Sequence, residues 1–227
     1  MENPVKKYWD DKIKIWSETS YEKNKKSSFI TSIFSKLRKS IDARKETAVN
    51  VLEPYIKDKS ILDIGCGVGV LGIDLLSKGC AKYIGLDISE IAVEEGRRRA
   101  EVAGLSDKME FICSRLQDIE EFPNADITVA LGLLDWITLS EVEGLIKKLK
   151  GRKILLTFSE QDNSLNEIIH RFYLVKRLQW KNKGVYAHHF YRSDVDAILK
   201  RNGFENIKYI KNNAMRFGVI FHNLDEK

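Results

Sequence analysis

Ile61-Leu62-Asp63-Ile64-Gly65-Cys66-Gly67-Val68-Gly69-Val70-Leu71-Gly72 is the stretch on which the reading of this chain turns. Ser60–Gly65 has the compact apolar pattern of a buried strand and runs directly into a glycine cluster. Val70–Ser77 then reads as a helix, with Leu71, Leu75 and Leu76 at helical spacing and Gly79 as its stop. A strand that breaks into glycines before a helix lets backbone amides approach a ligand with no Cβ in the way.

Two registers compete for that loop. Gly67, Gly69 and Gly72 satisfy G-x-G-x-x-G, the dinucleotide fingerprint, which arises cheaply in any glycine-rich stretch. The other register is Asp63-x-Gly65-x-Gly67-x-Gly69, with an acid at the strand end. A carboxylate there would repel a pyrophosphate but suits a cofactor carrying an ammonium and a sulfonium. The next strand, Lys82–Asp87, ends in an acid that can accept hydrogen bonds from both hydroxyls of a ribose. Asp87 thus points to a nucleoside of either class, and Asp63 chooses between them.

Working outward, Ser89 is a good N-cap for a helix through Ala103, closed by Gly104. Met109–Cys113, Asp126–Leu131 and Arg152–Phe158 read as further strands, with a helix over Ser140–Leu149. This alternation implies βαβ units and a parallel sheet covered on both faces. Ser193 with Asp196 three residues on predicts a capping box opening a last helix to Asn202. Two strand-like runs follow, Ile207–Ile210 and Arg216–Phe221, with Asn212-Asn213 predicted as a left-handed turn of an antiparallel hairpin. Residues 1–50 read as helices, with Ile30, Ile33, Phe34, Leu37 and Ile41 forming an apolar face. The expected organisation is one domain. It comprises an N-terminal helical lid (1–50), a cofactor-binding core (51–158), a substrate-side insertion (159–192), and a terminal helix and hairpin (193–227).

With 227 residues, 43% of them hydrophobic and 31% charged, the chain can bury a sizeable core. No apolar run approaches the ~20 residues of a membrane span, and no secretory h-region is visible at the start. Cys66, Cys80 and Cys113 form no CxxC, so a reducing, cytoplasmic setting is expected, with no metal site. The net charge of +5 divides into +5 over residues 1–60, −6 over 61–164 and +6 over 165–227. Basic ends can attract an anionic small molecule, a nucleic acid or a membrane surface.

Taken together, ILDIGCGVG (61–69), YIGLDIS (83–89), FICSRLQDI (111–119), ADITVALGLLDWI (125–137) and KILLTF (153–158) resemble the class I S-adenosylmethionine-dependent methyltransferases in order and spacing. The resemblance implies an α/β, Rossmann-like three-layer sandwich whose seven-stranded, mostly parallel sheet takes its last strand antiparallel. It implies S-adenosylmethionine as cofactor and S-adenosylhomocysteine as product. By position, Gly65, Cys66 and Gly67 would lie against the methionine part, with Asp63 supporting the amino group. Asp87 would hold the ribose, Ile88 and Leu116 would cover the adenine, and the backbone at Leu131 and Gly132 would face the methionine end. Where the family often has an acid for the adenine amino group, this chain has Arg115, with Asp118 three residues on.

Methyl transfer from a sulfonium is an in-line displacement, so the protein chiefly aligns the partners and excludes water. A hydroxyl or ammonium acceptor also needs a base, whereas a carboxylate does not. The acceptor pocket is expected from the two additions, through Tyr8, Trp9, Trp16 and Tyr21 in one and Phe172, Tyr173, Trp180, Tyr186, Phe190 and Tyr191 in the other, with Trp136. His188 and His189 are adjacent in an extended segment, so one of them can face the site as base, with His170 a weaker candidate. Arg44 precedes the first strand and is placed to pair with the cofactor carboxylate or an acidic substrate. A general likeness in layout to magnesium-protoporphyrin O-methyltransferases favours a small-molecule acceptor, with transfer to oxygen or nitrogen. The competing readings are a nucleic-acid or protein methyltransferase using the basic flanks, a non-catalytic cofactor-binding scaffold, and an NAD-binding oxidoreductase. Oligomeric state is not legible.

Overall fold

The computed structural model describes residues 4–21, 29–174, 182 and 184–225, with side chains for 4–14, 40–165, 167–172, 182 and 184–225. Two helices come first, α1 (Pro4–Tyr21) and α2 (Phe29–Leu52). The sheet begins with β1 (Ser60–Ile64), followed by α3 (Val70–Ser77), β2 (Lys82–Asp87), α4 (Glu90–Val102), β3 (Met109–Cys113) and β4 (Ile127–Ala130). Then come α5 (Leu139–Lys148), β5 (Lys153–Ser159), α6 (Leu165–Leu174), α7 (Arg192–Arg201), β6 (Lys208–Ile210) and β7 (Gly218–His222). The strand order is β3-β2-β1-β4-β5-β7-β6. The first five strands are parallel, and β7 lies antiparallel between β5 and β6.

Alternation along β1 sorts the layers. Leu62 and Ile64 join a core with Val142, Leu145 and Ile146 of α5 and Val195, Ile198 and Leu199 of α7. Ile61 faces the other way, into a core with Leu52 of α2, Leu71 and Leu75 of α3, and Val93 and Ala100 of α4. Thr138 caps α5 in a full capping box with Glu141, and Ser89 caps α4 by accepting from the Ala92 amide. Such caps are worth about 1 kcal/mol each. Strand order reverses between β1 and β4, so the crevice beyond their carboxyl ends is where open sheets of this kind hold ligands.

Three local expectations change. The last helix begins at Arg192, with Tyr191 as N-cap and no side-chain cap bond, so Ser193 and Asp196 form no capping box. The neighbouring Phe190 is tied to β5, its amide donating to Ser159 O and its carbonyl accepting from the Gln161 amide, and this fixes the entry into the helix. Asn212 is extended (φ −133°), and its side chain accepts from the Met215 amide to open a short 3-10 turn. The left-handed residue of that connection is Arg216 (φ 55°). On α2, Ile41 is half exposed while Ser40 is buried, its hydroxyl donating to Met215 O at 3.0 Å. Ile30, Ile33, Phe34 and Leu37 lie outside the described side chains.

Candidate active site

The glycine loop leaves β1 under backbone control. The amides of Gly65 (2.7 Å) and Cys66 (3.1 Å) both donate to Leu86 O on β2, clamping the loop to the neighbouring strand. Gly67 sits in the left-handed region (φ +54°), and a Cβ there would meet nothing within 4 Å, so the loop leaves open space at that point. Its amide donates to Asp87 Oδ2 at 2.8 Å, while the Ser89 amide donates to Asp87 Oδ1 at 2.9 Å. Asp87 therefore closes one side of the space from the end of β2. Burial raises its carboxyl above the usual range, against the pull of these amides.

Asp63 projects into the same layer as Ile61, where alternation along β1 places it. It is buried, accepts from the Tyr83 hydroxyl at 2.7 Å through Oδ2, and has no partner at Oδ1. Burial pushes its carboxyl up to about 7. An acid in that condition gains most from a cation or a polar hydrogen brought to the unpaired oxygen. Beside it, burial holds the Cys66 thiol well up, so this cysteine is a neutral part of the wall. These features fit a nucleoside cofactor with an ammonium better than a pyrophosphate.

Around the crevice the remaining expected residues are half-buried: Ile88, Leu116, Leu131 and Gly132. Leu116 packs against one core and Leu131 against the other. Gly132 donates its amide to Thr157 Oγ1 on β5 at 2.7 Å, which sets the direction of the chain leaving β4. Arg115 and Asp118 are both exposed. From above, α1 reaches the same place: Ser89 Oγ donates to Asp10 Oδ1 at 2.5 Å. Tyr8 and Trp9 lie against Trp136, with ring centroids 5.6 and 4.9 Å away.

A second cluster stands beyond β4 and β5. Arg44 donates to Asp135 Oδ2 and to Ser159 Oγ, both at 2.8 Å. Asp135 also accepts from the Ser159 amide (2.6 Å) and from the Ser159 hydroxyl (2.9 Å). The guanidinium crosses Gly218 so closely that a Cβ there would lie 2.3 Å from Arg44 Nε. The Arg44 side chain, expected to meet a cofactor carboxylate or an acidic substrate, is thus tied to an internal carboxylate. Its Nε is buried and unpaired.

The two adjacent histidines part company. His188 is held by its backbone, donating to Asp135 O at 2.7 Å, and its ring stacks on Phe190 at 5.9 Å. His189 Nδ1 donates to Glu167 Oε1 at 2.9 Å, with both side chains almost wholly enclosed. His170 completes the group, 5.5 Å from the His189 ring, with Phe217 packed on both. Burial lowers all three imidazoles, and His170 reaches about 4, helped by His189, Arg216 and Arg44 nearby. Glu167 Oε2 and His170 Nδ1 are buried without partners.

Of the aromatics expected to wall the acceptor side, Phe190 is buried, whereas Phe172, Tyr186 and Tyr191 are exposed. Trp16, Tyr21, Tyr173 and Trp180 lie outside the described side chains. The sequence reading missed Glu167, Asp135 and Ser159. The signal for Glu167 was an acid three residues before His170 on one helix. Nothing in the sequence joins Arg44 to Asp135, 91 residues away.

Comparison with known proteins bears on the first half of the site most directly. Residues 61–151 match a family described as "Methyltransferase domain". The ribosomal protein L11 methyltransferase of Escherichia coli is 41% identical over 75 residues, covering 33% of this chain and 25% of that protein. Protein arginine N-methyltransferase 1 of Saccharomyces cerevisiae is 37% identical over 75 residues, 33% of this chain and 21% of that protein. The matched stretch thus spans a quarter or less of these curated relatives. Among solved structures, magnesium protoporphyrin IX methyltransferase from Synechocystis with bound SAH is similar over 96% of both chains, with a TM-score of 0.71 and 21% identity.

Proposed function

We propose that this chain, a class I S-adenosylmethionine-dependent methyltransferase by its domain and fold, moves a methyl group to an oxygen or nitrogen of a small molecule. The observation that carries the cofactor half is the seat itself: open space at Gly67, closed by Asp87, with the unpaired Asp63 Oδ1 beneath it. When bound, S-adenosylmethionine supplies an electrophilic methyl group on a sulfonium. Asp63 would take the ammonium side, directly or through water, and Asp87 the ribose hydroxyls. Gly65, Cys66 and the backbone at Leu131 and Gly132 would line the methionine part, with Ile88 and Leu116 beside the adenine. Arg44 would face the cofactor carboxylate from its tether on Asp135 and Ser159.

For the acceptor, His189 is the better of the two adjacent histidines. Its Nδ1–H is committed to the Glu167 carboxylate, which leaves Nε2 as the lone pair available to take a proton. Burial keeps the ring neutral near pH 7, the state a base requires. Tyr8, Trp9 and Trp136 on the lid side would exclude water. The organisation that accompanies this reading is one domain, with residues 1–50 as lid and 159–192 as the acceptor side. The full-length likeness to an enzyme whose name states a porphyrin acceptor supports a small molecule. The relatives named for protein substrates match only a short stretch.

The test is transfer of a labelled methyl group from S-adenosylmethionine to three pools: small hydroxyl, amine and carboxylate compounds, total RNA, and total protein. Label in the small-molecule pool supports the reading. Label confined to RNA or protein replaces it with a macromolecular acceptor, and cofactor binding without transfer to any pool would make the chain a scaffold.

A further inference from the structure

Gly72 completes the G-x-G-x-x-G spacing, but the cofactor seat is built on Gly65 and Gly67 and leaves Gly72 without a task. It lies buried inside α3. A Cβ there would stand 2.7 Å from Cγ and Cδ1 of Tyr83 and 2.8 Å from the Met109 methyl. The glycine is therefore a matter of packing: it lets α3 lie directly on the Tyr83 ring. Gly69 does the same for Phe111, whose ring would be 2.6 Å from an added Cβ. Phe111 in turn meets Tyr83 edge-on, with centroids 6.1 Å apart. Two glycines and an aromatic neighbour thus seat one fully buried ring.

The purpose of that seat is at the far end of the ring. Tyr83 pairs with Ile61 in the β1–β2 register, and Gly85 pairs with Asp63. The position directly opposite Asp63 offers no side chain, so its donor comes from the residue two back on the same face. The Tyr83 hydroxyl donates to Asp63 Oδ2 at 2.7 Å, while Oδ1 is buried with no partner. Holding one oxygen sets the rotation of the carboxyl and leaves the other for the cofactor ammonium. The same hydrogen bond favours the charged form of Asp63, against burial first and the Asp87 charge second. Among the described residues, Tyr83 and Asp87 on β2 and Cys66 in the loop are the titratable groups that bear on it.

We infer that Tyr83 is a positioning residue for the cofactor: its hydroxyl holds Asp63 with one oxygen presented to the ammonium, and position 72 is a glycine so that the ring can reach. The inference rests on the reading of this seat as one for S-adenosylmethionine. Its test is S-adenosylhomocysteine affinity by isothermal titration from pH 6 to pH 8.5, in the wild-type chain and in Tyr83→Phe. Phe keeps the ring and removes only the donor. Asp63 then holds its proton to higher pH, and the ammonium has to displace that proton over a wider range. The expected result is binding about tenfold weaker at pH 6 and within about twofold at pH 8.5, as for a rise in affinity displaced upward by about one pH unit. In an Asp63→Asn background, Tyr83→Phe should change affinity by less than about twofold, because no charge remains to be held. Gly72→Ala keeps the hydroxyl but displaces the ring, so it should weaken binding with the same pH dependence, and it replaces Tyr83→Phe if that variant does not fold.

Three results would overturn the inference while leaving the cofactor reading intact. They are an unchanged profile in Tyr83→Phe, a loss equal at every pH, and a loss that persists in the Asp63→Asn background. Failure of the wild-type chain to bind S-adenosylhomocysteine at any pH would instead bring down the cofactor reading, and this inference with it.

Discussion

The two halves of the crevice are built by different means. On the cofactor side, a single stretch of chain does most of the work: β1 ends, the loop turns on backbone amides clamped to Leu86, and Asp87 closes the space from the next strand. On the acceptor side, nothing is local. Arg44, Asp135 and Ser159 come from α2, the turn after β4 and the end of β5, and Glu167 meets His189 across 22 residues. The first kind of site is written as a motif, and the second only as a fold. Each half therefore makes its own demand on mutation.

The largest effect is expected at Asp87. Replacing it by Ala should weaken S-adenosylhomocysteine binding by about 100-fold or more, since hydrogen bonds to a charged group are worth roughly 1.5–3 kcal/mol each. Isothermal titration would show it, and near-normal affinity would mean that the ribose is held elsewhere. The acceptor half should leave that affinity alone. Glu167→Gln should cut turnover by roughly 10–100-fold with cofactor affinity unchanged, and should move the acid limb of the rate profile, because the partner that fixes the His189 tautomer has lost its charge. A fall in turnover with an unmoved profile would make Glu167 merely structural.

Gly218→Ala probes the same half through stability. The new Cβ would drive Arg44 off Asp135 and Ser159, at a cost of about 1–3 kcal/mol. For a chain of this size that is a fall of roughly 2–12 °C in melting temperature. A subtler effect separates the halves by pH. Asp63 carries a carboxyl raised to about 7 by burial, so an incoming ammonium must favour its ionised form and displace a proton. Cofactor affinity should therefore rise with pH as it passes through about 7, by up to about tenfold per unit below it, and Asp63→Asn should remove the dependence. The sign for folding is the reverse. A raised acid contributes stability that is fully present below its unfolded value near 3.8 and is lost as pH rises through about 7, so Asp63→Asn should stabilise the ligand-free protein at pH 8.

The smallest effect belongs to His170. Its imidazole is lowered to about 4, so its contribution is present above the ordinary value of 6.5 and is lost as pH falls through about 4. His170→Phe should flatten the acid side of the stability curve, as followed by thermal unfolding.

What was readable in the sequence follows the same division. Strand β1, the glycine loop and α3 could be placed closely because a buried strand, a left-handed glycine and a helix leave distinct local marks. Ser89 was readable as a cap for the same reason. Ser193 carried the same local mark yet caps nothing, because Phe190 is tied to β5 and fixes where α7 begins. Asn212-Asn213 looked like the left-handed turn, but the strain fell on Arg216 as the chain entered β7 beneath Arg44. Phe172 read as a pocket wall by composition, while the burial of Glu167 turns α6 so that Phe172 faces out. Such outcomes depend on which distant side chain takes a position first, and no spacing records that.

The central claim is that the loop at Gly65–Gly67 and Asp87 holds S-adenosylmethionine and not a dinucleotide. Thermal unfolding with S-adenosylhomocysteine, with NAD and with neither tests it most directly. At 100 times its Kd a ligand adds ~2.7 kcal/mol, a rise of roughly 5–10 °C for this size. The account predicts that rise with S-adenosylhomocysteine, none with NAD, and its loss in Asp87→Ala. A rise with NAD alone would contradict the reading of Asp63 and, with it, the proposed function.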